Sequence, residues 1–258
     1  MFRYFVKNIN YIKIALDCIK LQLYQHNINY AWIICIYKVV SVILLFYYKL
    51  VVIIMINKIE EIFKHRDSVA IGEFKKSAVM ILLIEDAGEL DVVFEVRSLK
   101  LRSQPGDVCL PGGKVEQDEN PRETSIRETM EELNLKRDQI EIIGDLDYYI
   151  SPYGNIMYAF IGILKYGEIN PNQDEVDHIF KVPLKFFLEK EPLLYKMEIG
   201  PINQEGFPFH LINGGKDYKF RKGYLDEYFY EYNNYVIWGF TAQIIISFIE
   251  VIHNNSNI

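Results

Sequence analysis

Three closely spaced glutamates have the chemistry needed to bind a metal ion. Glu128, Glu131 and Glu132 are spaced i, i+3, i+4, so a helix would bring their carboxylates to one face. Like charges at these spacings repel one another, whereas hard cations such as Mg²⁺ and Mn²⁺ prefer oxygen ligands of this kind. On spacing alone two interpretations stay open, a metal site and a solvated acidic helix face.

The surrounding residues predict the helix that would carry these glutamates. Pro121 suits the first helical turn, where its missing N–H leaves no bond unmade, and Asn120 before it is a good N-cap. Glu123 stands at the position of a capping-box partner. Asn134 tolerates the left-handed conformation that ends many helices. We therefore predict a helix from Pro121 to the neighbourhood of Asn134.

The stretch from Gly113 to Leu135 resembles the sequence box of the Nudix hydrolases, Gly-x5-Glu-x7-Arg-Glu-U-x-Glu-Glu-x-Gly-U, where U is aliphatic. The positions that match the box are Gly113, Glu119, Arg127, Glu128, Glu131, Glu132 and Leu135. Two positions differ: Thr129 replaces an aliphatic residue, and Asn134 replaces the last glycine without removing a carboxylate. The resemblance implies an α/β fold, the Nudix α/β/α sandwich with a mixed sheet.

The resemblance also implies a divalent metal cofactor, Mg²⁺ or Mn²⁺. Its expected ligands are Glu128, Glu131, Glu132 and the carbonyl oxygen of Gly112. Ions bound there would neutralise the anionic oxygens of a diphosphate and lower the pKa of a bound water. No paired Cys or Cys/His spacing indicates a zinc site.

Three residues make up the expected catalytic set. Glu128 is the first candidate to orient or deprotonate the attacking water, and Glu175 is the second. For Glu128, metal ligation and base catalysis both stay open at this point. Arg127 is expected to orient a glutamate, because Glu123 and Glu131 each lie four residues away from it.

A second segment, residues 97–113, runs without a gap into the box. It resembles the R-S-x3-R-x3-G-x3-F-P-G-G segment of the coenzyme A diphosphatase branch of the Nudix family, with Leu110 in place of the phenylalanine. Arg97 and Arg102 carry planar guanidinium groups that suit two-point contacts with phosphate oxygens. The expected substrate-binding residues are Arg97, Ser98, Arg102, Gly106 and Gly113.

The resemblance covers about residues 73–250 and implies one activity. It is the metal-dependent hydrolysis of the diphosphate of coenzyme A or acyl-CoA to 3′,5′-ADP and 4′-phosphopantetheine or its acylated form. Two alternatives stay open: a Nudix pyrophosphatase for another nucleoside diphosphate derivative, and a non-catalytic Nudix module that senses a nucleotide. The complete set of glutamates favours an enzyme.

Residues 1–54 differ in composition from residues 55–258, and we treat them as an apolar N-terminal extension of the Nudix domain. Their net charge is +5, against −12 for the remainder. Residues 31–56 form an apolar run that Lys38, Ser41 and Lys49 interrupt, and it is long enough to cross a bilayer. Three alternatives stay open: a membrane segment, a packed helical extension, or a non-native upstream extension with Met55 as the natural start.

Charge and cysteine content limit the partners and the compartment. The chain has a net charge of −7 and three cysteines without paired spacing. An acidic body argues against a broad nucleic-acid surface and favours a small-molecule substrate. Unpaired cysteines favour a reducing compartment, so we expect a cytoplasmic protein that is membrane-associated if the extension is genuine. The oligomeric state stays open.

Hydrophobic periodicity predicts the remaining elements of the body. Two short apolar runs separated by a Gly-containing turn indicate a β-hairpin, at residues 78–84 and 92–96. Further strands are predicted at residues 140–150 and 156–164. Helices are predicted at residues 56–64, 182–189 and 235–252.

Overall fold

The computed structural model describes residues 30–202 and 204–255, and the chain divides into two units, Met1–Ile71 and Gly72–Ile258. In the first unit, helix α1 spans Tyr30–Lys64 and contains the predicted helical residues 56–64. The predicted boundary between residues 54 and 55 therefore falls inside α1, whose hydrogen-bonded register continues through Met55 to Lys64. The compact second unit begins at Gly72.

Helix α1 is rich in apolar residues, and its charged side chains between residues 34 and 56 are Lys38 and Lys49. Within the described residues it is the one helix with the length and composition to cross a bilayer, over Ile34–Lys64, and its most apolar 18-residue window has a mean hydropathy of 2.7. Phe46 and Trp32 are more than two-thirds exposed, and most of the other large apolar side chains described on α1 are 37–62% exposed. The membrane alternative thus stays a prediction that a partitioning experiment can test.

The second unit contains a mixed sheet of eight strands. Their bounds are Lys75–Asp86 (β1), Glu89–Arg97 (β2), Val108–Cys109 (β3), Gly112–Lys114 (β4), Ile140–Asp145 (β5), Tyr149–Ile150 (β6), Asn155–Leu164 (β7) and Val176–Pro183 (β8). Strand β1 is central: it pairs antiparallel with β2 and β4 and parallel with β7. The predicted hairpin is the β1–β2 pair, and the predicted mixed sheet is confirmed.

One predicted strand is divided in the structure. Residues 140–150 form β5 and β6, which both pair with β7 but are separate strands. The β5–β7 register shifts between Ile142 and Gly144, which is the signature of a bulge that bends the strand. The chain therefore leaves the ladder after Asp145 and rejoins it at Tyr149.

Helices cover both faces of the sheet. Helix α2 spans Pro121–Leu133 and packs on one face, while α3 (Leu184–Glu189) and α4 (Gly239–Asn255) pack on the other. Strand β1 supplies both cores because successive strand residues face opposite sides. Its residues in the core under α2 are Met80, Leu82 and Ile84. Its residues in the core under α3 and α4 are Val79, Ile81 and Leu83. The predicted α/β/α sandwich is confirmed.

A second sheet precedes α4. It contains β9 (Leu193–Ile199), β10 (Gly223–Tyr232) and β11 (Tyr235–Trp238) in the order β11-β10-β9. The prediction of one helix over residues 235–252 is wrong at its start, because Tyr235–Trp238 pairs with β10. Gly239, at φ +61°, makes the turn from β11 into α4. Short 3₁₀ helices lie at Arg137–Gln139, Phe209–Leu211 and Gly215–Asp217.

Candidate active site

Helix α2 has the ends that its sequence predicts. The Asn120 side chain accepts a hydrogen bond from the backbone N–H of Arg122 at 2.9 Å, and Pro121 is the first helical residue. Asn134 ends the helix with φ 51° and ψ 44°, and its backbone N–H donates to the carbonyl of Met130. The helix that carries the glutamates therefore has a defined start and a defined end.

The Gly112–Gly113 pair lies directly against α2. The backbone N–H of Gly112 donates to Glu132 Oε2 at 2.8 Å. A Cβ added to Gly113 would lie 2.4 Å from Cδ of Glu128, and one added to Gly112 would lie 2.3 Å from the carbonyl oxygen of Ala78. Only glycine fits at position 112, where the close atoms belong to the backbone and φ is +151°, whereas a side chain at position 113 would displace the Glu128 carboxylate. The two glycines thus bring backbone groups next to two carboxylates.

Burial disfavours the charged forms of both carboxylates. Glu132 is 5% exposed, and burial raises its pKa to about 8, assisted by the charges of Glu128 and Glu175. The Gly112 N–H and Arg97 act in the opposite direction on that pKa. Burial also raises the pKa of Glu128, against the contact with Arg127. A cation placed here would reverse these shifts.

Arg127 holds the acidic groups in place. Its guanidinium donates to both carboxylate oxygens of Glu119, at 3.0 and 3.1 Å. Its Nη1 lies 2.8 Å from Glu128 Oε1 and 3.3 Å from Glu131 Oε2. Of the two partners expected from spacing, Glu131 is contacted, and Glu119 and Glu128 take the place of Glu123. The arginine holds the pKa of Glu119 down at about 2.

The predicted trio of glutamates is only partly assembled. Glu128 and Glu132 lie at the paired glycines, whereas the Glu131 side chain is 55% exposed and is turned to Arg127. Among the described residues, no three His, Cys, Asp or Glu side chains are arranged around one point as a formed metal site. The predicted ligand set of Glu128, Glu131, Glu132 and the Gly112 carbonyl stays a prediction, with Glu131 turned to Arg127 in this structure.

A fourth carboxylate, Glu95 on β2, escaped the sequence interpretation. It is 1% exposed, and its Oε1 is buried without a hydrogen-bond partner. Burial, followed by the neighbouring charge of Glu132, raises its pKa well above the usual range. The signal was an acid inside the apolar run of residues 92–96, where a buried strand otherwise excludes charge.

Some of the predicted substrate-binding residues line a cavity, and others lie in the loop after β2. Arg97 ends β2 and lines a cavity of about 670 Å³ that Gly112 and Gly113 also line. Its Nε is buried without a hydrogen-bond partner, so it retains a donor for an anion. Arg102 lies in the exposed loop after β2. Gly106, at φ +79°, donates to the carbonyl of Arg97 at 3.0 Å and turns the chain back to β3.

Ser98 and Glu175 lie where β2 meets the loop before β8. Ser98 is 3% exposed and its hydroxyl donates to the carbonyl of Gln173 at 3.3 Å, so it braces this loop. The contact of Ser98 with a ligand stays a prediction. The backbone N–H of Ser98 also donates to the carbonyl of Glu175 at 2.8 Å. The exposed Glu175 carboxylate is close enough to raise the pKa of both Glu128 and Glu132.

Comparison with known proteins identifies the class. The sequence model of the NUDIX domain matches residues 74–197. The uncharacterized Nudix hydrolase NudL of Photorhabdus laumondii is 31% identical over 151 residues, which cover 58% of this chain and 70% of that protein. The chain therefore belongs to the Nudix hydrolase family, as its sequence box indicated.

Two animal relatives carry a more specific name. The peroxisomal coenzyme A diphosphatase NUDT7 of Mus musculus is 35% identical over 136 residues, which cover 52% of this chain and 56% of that protein. The peroxisomal coenzyme A diphosphatase ndx-8 of Caenorhabditis elegans is 36% identical over 118 residues, covering 44% of this chain and 50% of that protein. The chain spans about half the length of these relatives. Their names indicate peroxisomes, so a cytoplasmic location for this chain stays a prediction.

Proposed function

We propose that the protein is a divalent-metal-dependent diphosphatase that acts on coenzyme A or acyl-CoA and releases 3′,5′-ADP and (acyl-)4′-phosphopantetheine. The observation that carries the proposal is the junction at Gly112–Gly113. There the segment that begins at Arg97 ends against Glu128 and Glu132. An arginine with an unused donor lines the same cavity as the two glycines, and the two metal-type carboxylates lie directly against those glycines. The names of the animal relatives support the same substrate.

The acidic residues fit a hard divalent cation. Burial raises the pKa of Glu95, Glu128 and Glu132, the nearby charge of Glu175 adds to each rise, and Glu95 keeps one buried oxygen unpartnered. Glu128, Glu132 and the Gly112 carbonyl would hold Mg²⁺ or Mn²⁺, with Glu131 available from the surface. When bound, such ions neutralise diphosphate oxygens and acidify a coordinated water.

The protein's own groups then position and activate the water. Glu128 is our first candidate for the general base, because its carboxylate lies against Gly113 and is held in place by Arg127. Glu175 is the second candidate, since its exposed carboxylate lies near both Glu128 and Glu132. Arg97 would contact a phosphate oxygen through the donor that is unused in the protein.

Arg127 acts as a positioning residue in this scheme. Its guanidinium is saturated by Glu119, Glu128 and Glu131, so it has little capacity left for a ligand. By holding Glu128 at one oxygen it fixes the direction of the other. Pre-organised charges of this kind supply much of the rate gain in phosphoryl chemistry.

A substrate panel tests the proposal. The full chain is incubated with Mg²⁺ or Mn²⁺ and with free coenzyme A, acetyl-CoA, ADP-ribose, a dinucleoside polyphosphate and an oxidised nucleoside triphosphate, and products are identified by mass spectrometry. We expect 3′,5′-ADP and 4′-phosphopantetheine from coenzyme A as the fastest reaction. Preferred hydrolysis of another panel member would assign a different Nudix substrate. Binding of a nucleotide without any turnover would assign a sensing module.

A further inference from the structure

The 670 Å³ cavity beside the paired glycines extends well beyond them. Its far wall is built from the second sheet and from α4, and includes Met197, Trp238, Phe240 and Ile244. Most of that wall lies after residue 197, where the match to the NUDIX domain ends. This volume lies within the range of small-molecule sites, and one end of it is lined by Gly112 and Gly113, which lie against Glu132 and Glu128.

The charge of the cavity restricts what can occupy it. Three charged side chains line it, the basic Arg97 and the acidic Asp107 and Glu227. Burial raises the pKa of Glu227, which agrees with a surrounding poor in water. A 3′-phosphorylated nucleoside would bring roughly two further negative charges, by analogy with other phosphate monoesters at neutral pH. One arginine, already facing the diphosphate, would leave that charge without a partner.

The shape and softness of the far wall favour an uncharged flexible chain. Met197 of the far wall and Met157 of β7 are unbranched and polarizable, and such side chains adapt to ligands of different length. Trp238 is 44% exposed and Met197 is 41% exposed, so both present apolar surface to an incoming group. Phe240 packs against Tyr149 at a centroid distance of 5.3 Å, and this contact holds the Phe240 ring in place.

From these observations we infer that the cavity binds the pantetheine arm and the acyl chain of the substrate, so that Met197 and Trp238 determine acyl-chain selectivity. The inference rests on the proposed function and adds the orientation of the substrate to it. The diphosphate lies at Gly112 and Gly113 with Arg97, the acyl chain points to the second sheet, and the 3′-phosphoadenosine arm lies outside the cavity.

A chain-length series tests this with the full-length protein. We expect kcat/KM to rise at least about tenfold from acetyl-CoA to octanoyl-CoA, because each added methylene is removed from water. In Met197→Trp the larger ring fills the cavity, and the octanoyl-to-acetyl ratio of kcat/KM falls at least about tenfold. The matched control is Leu194→Trp, on the same strand but outside the lining, which keeps the wild-type ratio.

Binding of the two product halves supplies a second measurement that does not depend on turnover. The chain has two tryptophans, so Trp32→Phe leaves Trp238 as the fluorescent reporter. We expect octanoyl-4′-phosphopantetheine to shift the emission of Trp238 in metal-free protein, and 3′,5′-ADP to leave it unchanged. A response to 3′,5′-ADP alone would place the nucleoside in the cavity and overturn the inference.

Different results would overturn the acyl pocket and the proposed function. A flat chain-length profile, or an equal loss on every substrate in Met197→Trp, would overturn the acyl pocket while coenzyme A hydrolysis still stands. Absence of turnover for every coenzyme A species by the wild-type protein would instead refute the proposed function, and the acyl pocket with it. Unfolding temperatures of both variants near the wild-type value show that a changed ratio reflects the cavity.

Discussion

Glu128 combines a position against Gly113 with a carboxylate held by Arg127. We expect Glu128→Gln to lower kcat/KM by at least about a hundredfold, because the amide can neither take a proton nor neutralise a cation. The variant should stay folded, since the amide is isosteric. The measurement is steady-state hydrolysis of coenzyme A together with thermal unfolding.

A neighbouring exposed acid makes the matched control. Glu123→Gln changes the same charge on the same helix, yet Glu123 is exposed and lies at the far end from the paired glycines. We expect its activity to stay within about twofold of wild type, as is usual for surface substitutions. Full activity in Glu128→Gln would remove that residue from both of its proposed roles.

From the raised pKa of Glu132 we predict that metal binding depends on pH. Burial raises its pKa to about 8, so at pH 7 the folded, metal-free protein holds a proton on this carboxyl. A cation must displace that proton. The apparent affinity for Mn²⁺ should therefore rise with pH up to about 8 and level off above it. Calorimetric titrations from pH 6 to 9, in buffers of different ionisation enthalpy, measure both the affinity and the released proton.

Removal of the same carboxyl should abolish that pH dependence. In Glu132→Gln no proton has to leave this position, so the affinity for Mn²⁺ should be weak and nearly constant between pH 6 and 9. A wild-type affinity that stays flat over this interval would contradict the assignment of Glu132 as the titrating ligand.

At the scale of the helix, the contact between Glu119 and Arg127 stabilises the loop that leads into α2. The pKa of Glu119 lies at about 2, below the usual 4.5. A depressed carboxyl pKa stabilises the fold above the unfolded-state value and is lost as the pH falls towards the folded-state value. Glu119→Gln should therefore cost about 1 kcal/mol at pH 7, and less as the pH falls from 4.5 towards 2.

Urea unfolding at pH 7 and pH 3 measures this difference. The control is Glu116→Gln, three residues earlier, whose side chain is exposed and whose contacts with Glu119 are made by its backbone N–H and carbonyl. We expect that control to match wild type at both pH values. Equal destabilisation of Glu119→Gln at the two pH values would mean that its effect is not carried by the charged pair.

The end of α2 offers a test of backbone conformation. Asn134 has the left-handed φ of 51°, and its side chain donates to the carbonyl of Asn170 at 2.8 Å. Asn134→Ala should destabilise the protein by about 1–2 kcal/mol, because alanine is strained in the left-handed conformation and the hydrogen bond to Asn170 is lost. Asn134→Gly relieves the strain and should recover part of that loss. Equal stability of the two variants, measured by urea unfolding, would show that strain plays no part.

Elements with strong local signals were predictable, and those that depend on distant pairing were not. Proline, asparagine caps and glutamate spacing defined α2, and the buried run of β1 defined the central strand. Strand β9 gave no such signal, because its first six residues are exposed and its sequence shows no alternation of burial. Its strand conformation comes from pairing with β10, almost thirty residues further along the chain.

Within the site, the sequence predicted residue types better than side-chain directions. The box located Glu128, Glu132 and the paired glycines, which the structure brings together. It could not show that Arg127 draws Glu131 outwards, since three acids compete for one guanidinium. Nor could it show that Glu95 on β2 lies near Glu132 on α2, since the packing of the helix on the sheet brings them together.

At the scale of the whole molecule, we make a separate prediction for each of the two units. The core, the candidate catalytic residues and the cavity all belong to Gly72–Ile258. A chain that starts at a methionine placed before Gly72 should therefore fold and should hydrolyse coenzyme A with kcat/KM within about twofold of the full chain. Loss of activity that coenzyme A and metal cannot restore would show that the first unit completes the site.

From helix α1 we predict how the full chain and the chain from Gly72 distribute between membrane and solution. Its span Ile34–Lys64 is apolar and exposed, and burial of such a helix in hydrocarbon satisfies its backbone internally and removes its side chains from water. Lys38 and Lys49 oppose insertion by roughly 2.5–3.5 kcal/mol each when central, which the surrounding apolar residues outweigh. The full chain should remain in the membrane pellet after a carbonate wash, and the chain from Gly72 should stay in the supernatant. Recovery of both in the supernatant would exclude the membrane segment and leave a packed or non-native extension, which the intact mass of the natural protein distinguishes.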